Sequence, residues 1–266
     1  MVSIGDTNFE PVISAMTWSY SRMSSFDDCP YKWYLKYLCG EKGKDMFFAQ
    51  YGTFVHELLA DFYEGKLTAE ETYQRYLTGF RTRVNVYYPN RNVWLRYFQN
   101  GADYLKELAM PADRKVIAVE KEVHFEVDGV PFIGFIDRID RLEDGSLAIV
   151  DHKSRILKPR SGRRKPTKSD EELDKYLRQL YLYSKAVEDL YGTLPSRLCI
   201  NSFRMGTFIE EPFREEVYHE VLRWAVGEVR RIEKEEDFSP ELDWFHCTHL
   251  CEVQDSCPYY QQNKGK

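Results

Sequence analysis

The segment VPFIGFIDRIDRLEDGSLAIVDHK, residues 130–153, decides the fold, because it reads as two β-strands joined by a tight turn. Alternation with period two predicts that Ile133, Phe135, Asp137 and Ile139 share one face of the first strand. A carboxylate in such an apolar row is costly to bury without a partner. Asp137 therefore needs a partner, and the charged end of the second strand is the place to look for it.

The turn between the strands decides whether Asp137 faces Asp151. A two-residue turn at Asp144 and Gly145 would put the two carboxylates on opposite faces of the hairpin. A three-residue loop, residues 143–145 with Gly145 in the left-handed conformation, pairs positions whose numbers sum to 288 and sets Asp137 directly across from Asp151. We predict the three-residue loop.

Two carboxylates opposed across a hairpin predict a cation site. Their Cβ atoms would lie roughly 4.5–5.5 Å apart, and charges that close repel each other unless a cation lies between them. Hard oxygen ligands favour Mg²⁺ or Mn²⁺, which can polarise a phosphodiester and lower the pKa of a bound water. Lys153, on the same face as Asp151, would stabilise the developing charge or position the water. The alternative is an ordinary surface Asp-Lys pair, because Asp-x-Lys alone is a weak motif.

Composition limits the class of protein. The 266 residues, of which 43% are hydrophobic and 15% aromatic, suffice for a core. No apolar run approaches the roughly 18 residues that a membrane span requires, and the N-terminal MVSIGDTNFEPV lacks the features of a signal peptide. We therefore expect a cytoplasmic protein without a membrane partner.

A basic stretch interrupts an otherwise acidic chain. The net charge of -6 argues against a nucleic-acid partner, yet RILKPRSGRRKPTK, residues 155–168, holds seven Lys or Arg. Its Pro and Gly residues exclude regular structure, so the stretch is either a solvated linker or a loop that binds phosphates. The candidate DNA-binding residues are Arg160, Arg163, Arg164 and Lys165.

The order of periodic segments predicts an α/β fold with a mixed sheet. Segments with helical spacing are 17–38, with a break at Pro30, and 52–64, 68–83, 91–109, 171–191 and 214–236. Short β-rich runs lie between residues 116 and 153, and RLCINSFRM at 197–205 is a further strand. We predict a single domain over 1–266 with three parts: mainly helical 17–110, a core at 116–205 and a C-terminal helix and tail at 214–260.

The charged hairpin resembles a known signature. Asp137 followed by Asp151, His152 and Lys153 resembles the PD-(D/E)XK nuclease motif. The flanking sequence resembles the RecB-like branch of that superfamily, which includes the AddB nuclease domain and the RecB-like nucleases of CRISPR adaptation. The resemblance implies a restriction-endonuclease-like core whose mixed sheet is flanked by helices.

Three further motifs extend the resemblance over roughly residues 17–260. YGTFVHELL is similar to the branch's histidine-bearing helix and assigns His56 to it. QLYLY is similar to its Gln-x-x-x-Tyr motif and assigns Gln179 and Tyr183. SYSRMSSFDDCPYKWYLKYL is similar to its N-terminal segment.

The resemblance also implies roles for these residues. The metal ligands are His56, Asp137, Asp151 and the backbone carbonyl of His152; Lys153 acts at the chemical step, and the helix of Gln179 and Tyr183 supports the site and contacts DNA. From the residues alone, His56 could instead be a hydrogen-bonded core histidine, because apolar residues of a helical stripe surround it. Gln179 could have a purely structural role.

The implied function is a metal-dependent DNA nuclease, and we expect an exonuclease on single strands or DNA ends, in repair, phage DNA metabolism or CRISPR adaptation. No G-x-x-x-x-G-K-[ST] phosphate loop is present, so unwinding would come from a helicase partner. A CRISPR integrase is the other possible partner. Two alternatives stay open: a non-catalytic DNA-binding module that retains the nuclease fold, and a zinc-stabilised adaptor that binds protein.

Six cysteines in a cytoplasmic chain favour metal binding or burial over disulfides. Cys39 and Cys199 have no partner by spacing and are interpreted as ordinary thiols. Cys247, Cys251 and Cys257 form a C-x3-C-x5-C pattern in a short tail and need a fourth ligand.

The resemblance implies that Cys29, followed by Pro30, is that fourth ligand. In the family, one early and three late cysteines hold a 4Fe-4S cluster that joins the N- and C-terminal segments. The usual late spacing there is C-x2-C-x5-C, so this chain carries one extra residue. Zinc is the alternative metal, since His246 or His249 could replace a thiolate.

Overall fold

One five-stranded sheet runs through the protein in the computed structural model, which describes residues 8–263. The strand order follows the chain, and only β3 and β4 pair in parallel. The strands are β1 (Arg114–Val127), β2 (Val130–Leu142), β3 (Leu147–Lys153), β4 (Arg197–Ser202) and β5 (Thr207–Pro212). The predicted mixed sheet is confirmed.

Helices flank this sheet, which confirms the α/β class. Those of the described residues are α1 (Glu10–Ser14), α2 (Tyr20–Asp28), α3 (Pro30–Tyr37), α4 (Phe47–Tyr63), α5 (Ala69–Arg83), α6 (Arg91–Lys106), α7 (Lys168–Tyr191), α8 (Glu215–Glu233), α9 (Trp244–His249) and α10 (Pro258–Asn263). Within residues 8–263, no helix has both the length and the apolar composition needed to cross a membrane. The expectation about a signal peptide, and the ends of the predicted 1–266 domain, fall partly on residues 1–7 and 264–266, outside the described part.

Local sequence signals set the helix boundaries. The segment predicted at 17–38 contains two helices that part before Pro30, where the Cys29 side chain caps α3 by accepting the Lys32 N–H. Helix α7 begins earlier than predicted because Thr167 and Asp170 form a capping box. The strand predicted at 197–205 ends sooner, at Ser202, because the chain turns there before β5.

Two large hydrophobic cores stabilise the fold. The first lies between one face of the sheet, which contributes Ile139, Ile149 and Ile200, and helices α7 and α8. The second is formed by α4, α5 and α6 around Tyr51 and Phe80. The edge of the sheet beyond Lys153 therefore lies where the two helical groups approach each other.

The β2–β3 hairpin has the predicted three-residue loop. Gly145 has a φ of 85°, and the Leu142 N–H donates to Ser146 O at 2.8 Å to close the loop. The paired Cα positions, whose numbers sum to 288, are Arg138–Val150, Ile139–Ile149, Asp140–Ala148 and Arg141–Leu147. Continuing this register by one pair sets Asp137 opposite Asp151, as predicted.

The alternation along β2 differs from the prediction. Phe135 was expected on the same buried face as Ile139, but it is 51% exposed, whereas Phe132 and Ile136 join the core of Ile139. The phase of the alternation therefore changes between Ile136 and Ile139. Across from this point, Glu120 of β1 has a φ of 44°, which interrupts the regular pleat.

The absence of a side chain at Gly134 lets α7 approach β2. A Cβ atom at Gly134 would lie 2.6 Å from the ring of Tyr183. Since Tyr183 itself is buried, the ring has little room to move away. Gly134 thus sets the distance between the sheet and the helix that carries Gln179.

Gly134→Ala should lower the free energy of unfolding by about 1–3 kcal/mol, because the added methyl group overlaps the Tyr183 ring. Urea unfolding measures the change. Gly227→Ala is the control: Gly227 is exposed within α8 and its added Cβ meets no neighbouring atom, so it should stabilise by about 0.5–1 kcal/mol. Wild-type stability of Gly134→Ala would contradict the close packing.

Candidate active site

Three carboxylates lie side by side on β1, β2 and β3. The β1–β2 register, which pairs Lys121 with Ile136, places Glu120 opposite Asp137. The β2–β3 register places Asp151 on the other side of Asp137. The sheet thus brings together the two predicted carboxylates and one that the sequence analysis missed.

Asp137 occupies the middle of this row and is mostly buried. Its Oδ2 accepts a hydrogen bond from the His152 main-chain N–H at 2.6 Å. The same oxygen lies 3.7 Å from Nδ1 of His56. Asp137 therefore connects β2 with both β3 and helix α4.

His56 reaches the row from the side of α4 that faces away from the apolar stripe. Tyr51, Val55 and Leu59 bury that stripe fully, which leaves His56 half-buried at the edge of the sheet. Its Nε2 lies 2.8 Å from the backbone oxygen of His152 and donates to it. His56 is thus hydrogen-bonded, as expected of a core histidine, but its hydrogen-bond partner lies at the carboxylate row.

Lys153 lies between a carboxylate and an amide. Its Nζ is 3.0 Å from Oδ1 and 2.9 Å from Oδ2 of Asp151, and it donates to Oε1 of Gln179 at 3.2 Å. Gln179 also lies near enough to buried Tyr183 to influence the pKa of its hydroxyl. The amide that the sequence placed inside an apolar stripe therefore holds the lysine in position.

The electrostatics show a site that is short of positive charge. Burial, and then the charge of Asp151, raise the pKa of Asp137 to about 7. For His56, burial acts to lower the pKa, but Glu120 and Asp137 outweigh it and the pKa is raised. Burial also acts to lower the pKa of Lys153, but the charge of Asp151 outweighs burial and the pKa of Lys153 is raised. An added cation would relieve the repulsion between the carboxylates.

The residues present fit a divalent cation with hard ligands. His56, Glu120 and Asp137 each offer a ligand atom within 4.8 Å of the other two. The 2.8 Å between His56 Nε2 and His152 O suits neighbouring ligands of an octahedral ion, which lie roughly 3 Å apart for bonds of about 2.1 Å. Asp151 is adjacent, and its buried Oδ2 has an ion pair with Lys153 but no hydrogen-bond partner within residues 8–263.

Of these groups, His56 and Glu120 line a cleft of about 830 Å³ along α4. Its lining includes Phe48, Gly52 and His56 of α4, Glu120 of β1, and Ser154 just after β3. We call it the α4 cleft. It gives a long, flexible substrate access to the carboxylate row from solvent.

The basic loop is partly ordered by carboxylates. Arg160 pairs with Asp174 at 2.5 Å and Glu211 at 3.0 Å, so its charge is already compensated within the fold. Asp170 of α7 accepts hydrogen bonds from Ser161 and Thr167. Both ends of the loop at 162–166 are thereby tied to α7. The exposed cations between these ends are Arg163, Arg164 and Lys165.

The four predicted cysteine ligands line one cavity. Cys29, Cys247, Cys251 and Cys257 surround a small cavity of about 20 Å³, together with His246. His249 lies against Phe245 instead. The other two cysteines lie apart from it, Cys39 exposed and Cys199 buried beside Ala148 and Val150.

Ion pairs connect the cysteine tail to the N-terminal segment. Glu252 pairs with Lys32 at 3.0 Å and with Lys36 at 2.9 Å, and Asp255 pairs with Lys44 at 2.8 Å. The Lys44 N–H also donates to Glu252 O at 2.9 Å. The two segments are therefore in direct contact through protein groups alone.

Comparisons with known proteins agree with this geometry. A family model described as the PD-(D/E)XK nuclease superfamily matches residues 17–258. A subunit of the ATP-dependent helicase/deoxyribonuclease from Streptococcus agalactiae serotypes Ia, V and III is 25% identical over 158 residues, which are 53% of this chain and 14% of each relative. A crystal structure of an exonuclease candidate from Eubacterium rectale has a TM-score of 0.52 at 10% identity and covers 100% of both chains, which shows likeness of fold.

Asp137 should make the metal-free protein less stable as the pH rises from about 4 to about 7. Its folded pKa of about 7 lies above the ordinary 3.8, so the folded chain keeps a proton that the unfolded chain has released. The stability present at low pH is therefore lost across this interval. Urea unfolding at several pH values should show a flatter dependence for Asp137→Asn. Asp103→Asn removes an exposed carboxylate of α6 and should keep the wild-type dependence; an unchanged Asp137→Asn curve would contradict the raised pKa.

Proposed function

The chain belongs to the PD-(D/E)XK nuclease superfamily, and we propose that it is a metal-dependent deoxyribonuclease that acts as an exonuclease on single-stranded DNA or DNA ends. One observation carries the proposal. Asp137 lies beside His56, which lines the open α4 cleft, and the strand register sets Asp137 opposite Asp151, which pairs with Lys153. The chain spans 14% of the curated relatives that it matches, so their whole activity is not carried over.

We assign the cation to His56, Asp137, Asp151 and the carbonyl oxygen of His152, with Glu120 as an additional carboxylate at the same place. When bound, Mg²⁺ or Mn²⁺ polarises the phosphodiester and lowers the pKa of a water. The hydrogen bonds of His152 to Asp137 and His56 position that peptide in advance. The ligand atoms thus lie close together already, and His56 must release its Nε2 proton for that nitrogen to act as a ligand.

Lys153 acts on the phosphate. Held by Asp151 and Gln179 with its charge favoured, its ammonium faces the place where negative charge develops as water oxygen bonds to phosphorus and the ester P–O bond breaks. Tyr183, one turn further along α7, packs against β2 at Gly134. These residues position the reacting phosphate and stabilise its charge.

We further propose that Cys29, Cys247, Cys251 and Cys257 hold a 4Fe-4S cluster. A single zinc with Zn–S bonds of about 2.3 Å needs sulfurs roughly 3.8 Å apart, whereas among the described residues no three of these thiols come within 4.8 Å of one another. A shared cavity with wider spacing favours a polynuclear cluster. Zinc is the second candidate because His246 lines the same cavity. The cluster would strengthen a contact that ion pairs already make.

The same proposal extends to the partners, the pathway and the cellular compartment of the protein. The relatives, which are named as a subunit of an ATP-dependent helicase/deoxyribonuclease, support a helicase partner that supplies single strands. A CRISPR integrase is the alternative partner, and repair, phage DNA metabolism and CRISPR adaptation are the candidate pathways. We place the protein in the cytoplasm, where cysteines stay reduced. A non-catalytic DNA-binding or adaptor module is the alternative function, and it is disfavoured because Asp137, Asp151 and Lys153 are all present.

Asp151→Asn and Lys153→Ala should each reduce Mn²⁺-dependent cleavage of an end-labelled single strand by roughly 100-fold or more. Both act at the chemical step, so thermal unfolding and visible absorption should confirm that each variant is folded. Lys121→Ala, an exposed lysine of β1, is the control and should cleave like the wild type. Cleavage within a few-fold of wild type in either active-site variant would refute the assignment.

Cys29→Ala and Cys251→Ala should lose iron and visible absorption and should melt at a lower temperature, because either change removes one thiolate of the cluster. The soluble fraction should keep some metal-dependent cleavage at low temperature, since the carboxylate row lies on the hairpin. Cys39→Ala is the matched control and should keep both colour and stability. A colourless wild type that is purified without air and holds one zinc would exclude the cluster.

A further inference from the structure

Three aromatic rings pack together at one end of the α4 cleft, and Trp244, which stacks on Tyr260, is the neighbouring residue on α9. Phe48 lines the cleft, and its ring centroid lies 6.2 Å from that of Phe245 on α9 and 5.2 Å from that of Tyr97 on α6. Trp244 and Phe245 are 61% and 51% exposed. We call Phe48, Tyr97, Trp244 and Phe245 the aromatic strip.

Positive charge accompanies the aromatic strip. The guanidinium carbon of Arg204 lies 4.2 Å from the Tyr97 ring centroid, and Arg204 donates to the Tyr97 hydroxyl at 2.6 Å. Its Nε is buried with no hydrogen-bond partner within residues 8–263. Arg155 and Arg96 are also near enough for their charges to act on the Tyr97 hydroxyl. Rings and cations therefore occur together at this end.

The charges at the other end of α4 are paired with one another. Glu57, Asp61 and Glu64 line the cleft around and beyond His56, but Glu57 pairs with Arg83, and Lys66, which also lines the cleft, pairs with Asp61 and Glu64. At 1.5 Å per residue, Phe48 lies roughly 12 Å along the helix from His56. A phosphate chain is attracted to the arginine end, and the paired charges at the other end offer it less. A strand with a phosphate at His56 would therefore lead towards Phe48.

We propose that the aromatic strip binds single-stranded DNA by stacking bases on Phe245 and Trp244 while Arg204 contacts phosphate. This inference rests on the proposed deoxyribonuclease activity and specifies how its substrate approaches the carboxylate row. Exposed rings suit unpaired bases of any sequence, whereas the bases of a duplex already stack on one another. Because Phe245 lies two residues before Cys247 on α9, the cysteine tail presents the strip.

The test compares two fluorescent probes of equal charge and length by anisotropy, without added divalent metal: an oligothymidylate and an abasic oligonucleotide. The wild type should bind the base-bearing probe at least roughly five-fold more tightly. Phe245→Ala should remove most of this preference and Trp244→Ala should reduce it, whereas Phe245→Trp should keep it. Phe208→Ala, which removes a 44% exposed ring of β5, is the matched control and should keep the preference.

Arg204→Gln should instead weaken both probes equally and reduce the salt dependence by about one unit of slope. Visible absorption equal to that of the wild type shows that α9 and the tail are intact in each variant. The proposal is overturned if the wild type has no preference, or if the preference survives in both Phe245→Ala and Trp244→Ala. A wild type that cleaves no DNA with Mn²⁺ would refute the deoxyribonuclease activity. The probe preference would still show independently whether the aromatic strip binds single-stranded DNA.

Discussion

The hydrogen bond from the His152 N–H to Asp137 is the interaction on which the site depends. It joins β2 to β3 one position beyond their last ladder pair, where both strands bring charge towards the core. It also orients the peptide whose oxygen accepts from His56. One peptide group therefore couples the hairpin to the α4 layer, and the neighbouring carboxylates can stay close only because lysine and histidine contribute positive charge around them.

The side chain of His152 is anchored against α4 and β4. The His152 ring is buried and stacks on Tyr63 with centroids 5.7 Å apart and planes 5° apart. Its Nδ1 accepts from Nδ2 of Asn201 at 2.9 Å, and burial lowers the pKa of His152, which keeps the ring neutral. A buried pair, Arg138 with Asp140 at 2.9 Å, lies on strand β2 nearby. The peptide of the site is thus restrained both through its main chain and through the His152 ring.

The sequence predicted the parts of the site that follow from local turn chemistry. Gly145 indicated the loop, and the loop set Asp137 opposite Asp151. The same argument on the preceding hairpin would have found Glu120, because an Asp-Gly pair favours a two-residue turn and fixes the register. In the structure, Asp128 and Gly129 both have positive φ, 48° and 80°.

Other features could not be derived locally. Phe135 is exposed, and across the hairpin Glu120 adopts a positive φ, a conformation that propensity disfavours for a residue with a side chain. The cavity shared by Cys29 and the cysteine tail joins distant parts of the chain, so only the resemblance, and not spacing, implied it.

The hydrogen bonds of Asp170 limit the movement of the basic loop. With Ser161 and Thr167 both bound to its carboxylate, the loop at 162–166 is a short tether, so its three cations can move only roughly 10 Å from the start of α7. These three cations therefore keep a nearly fixed position. An approaching polyanion meets their positive potential at one place on the surface.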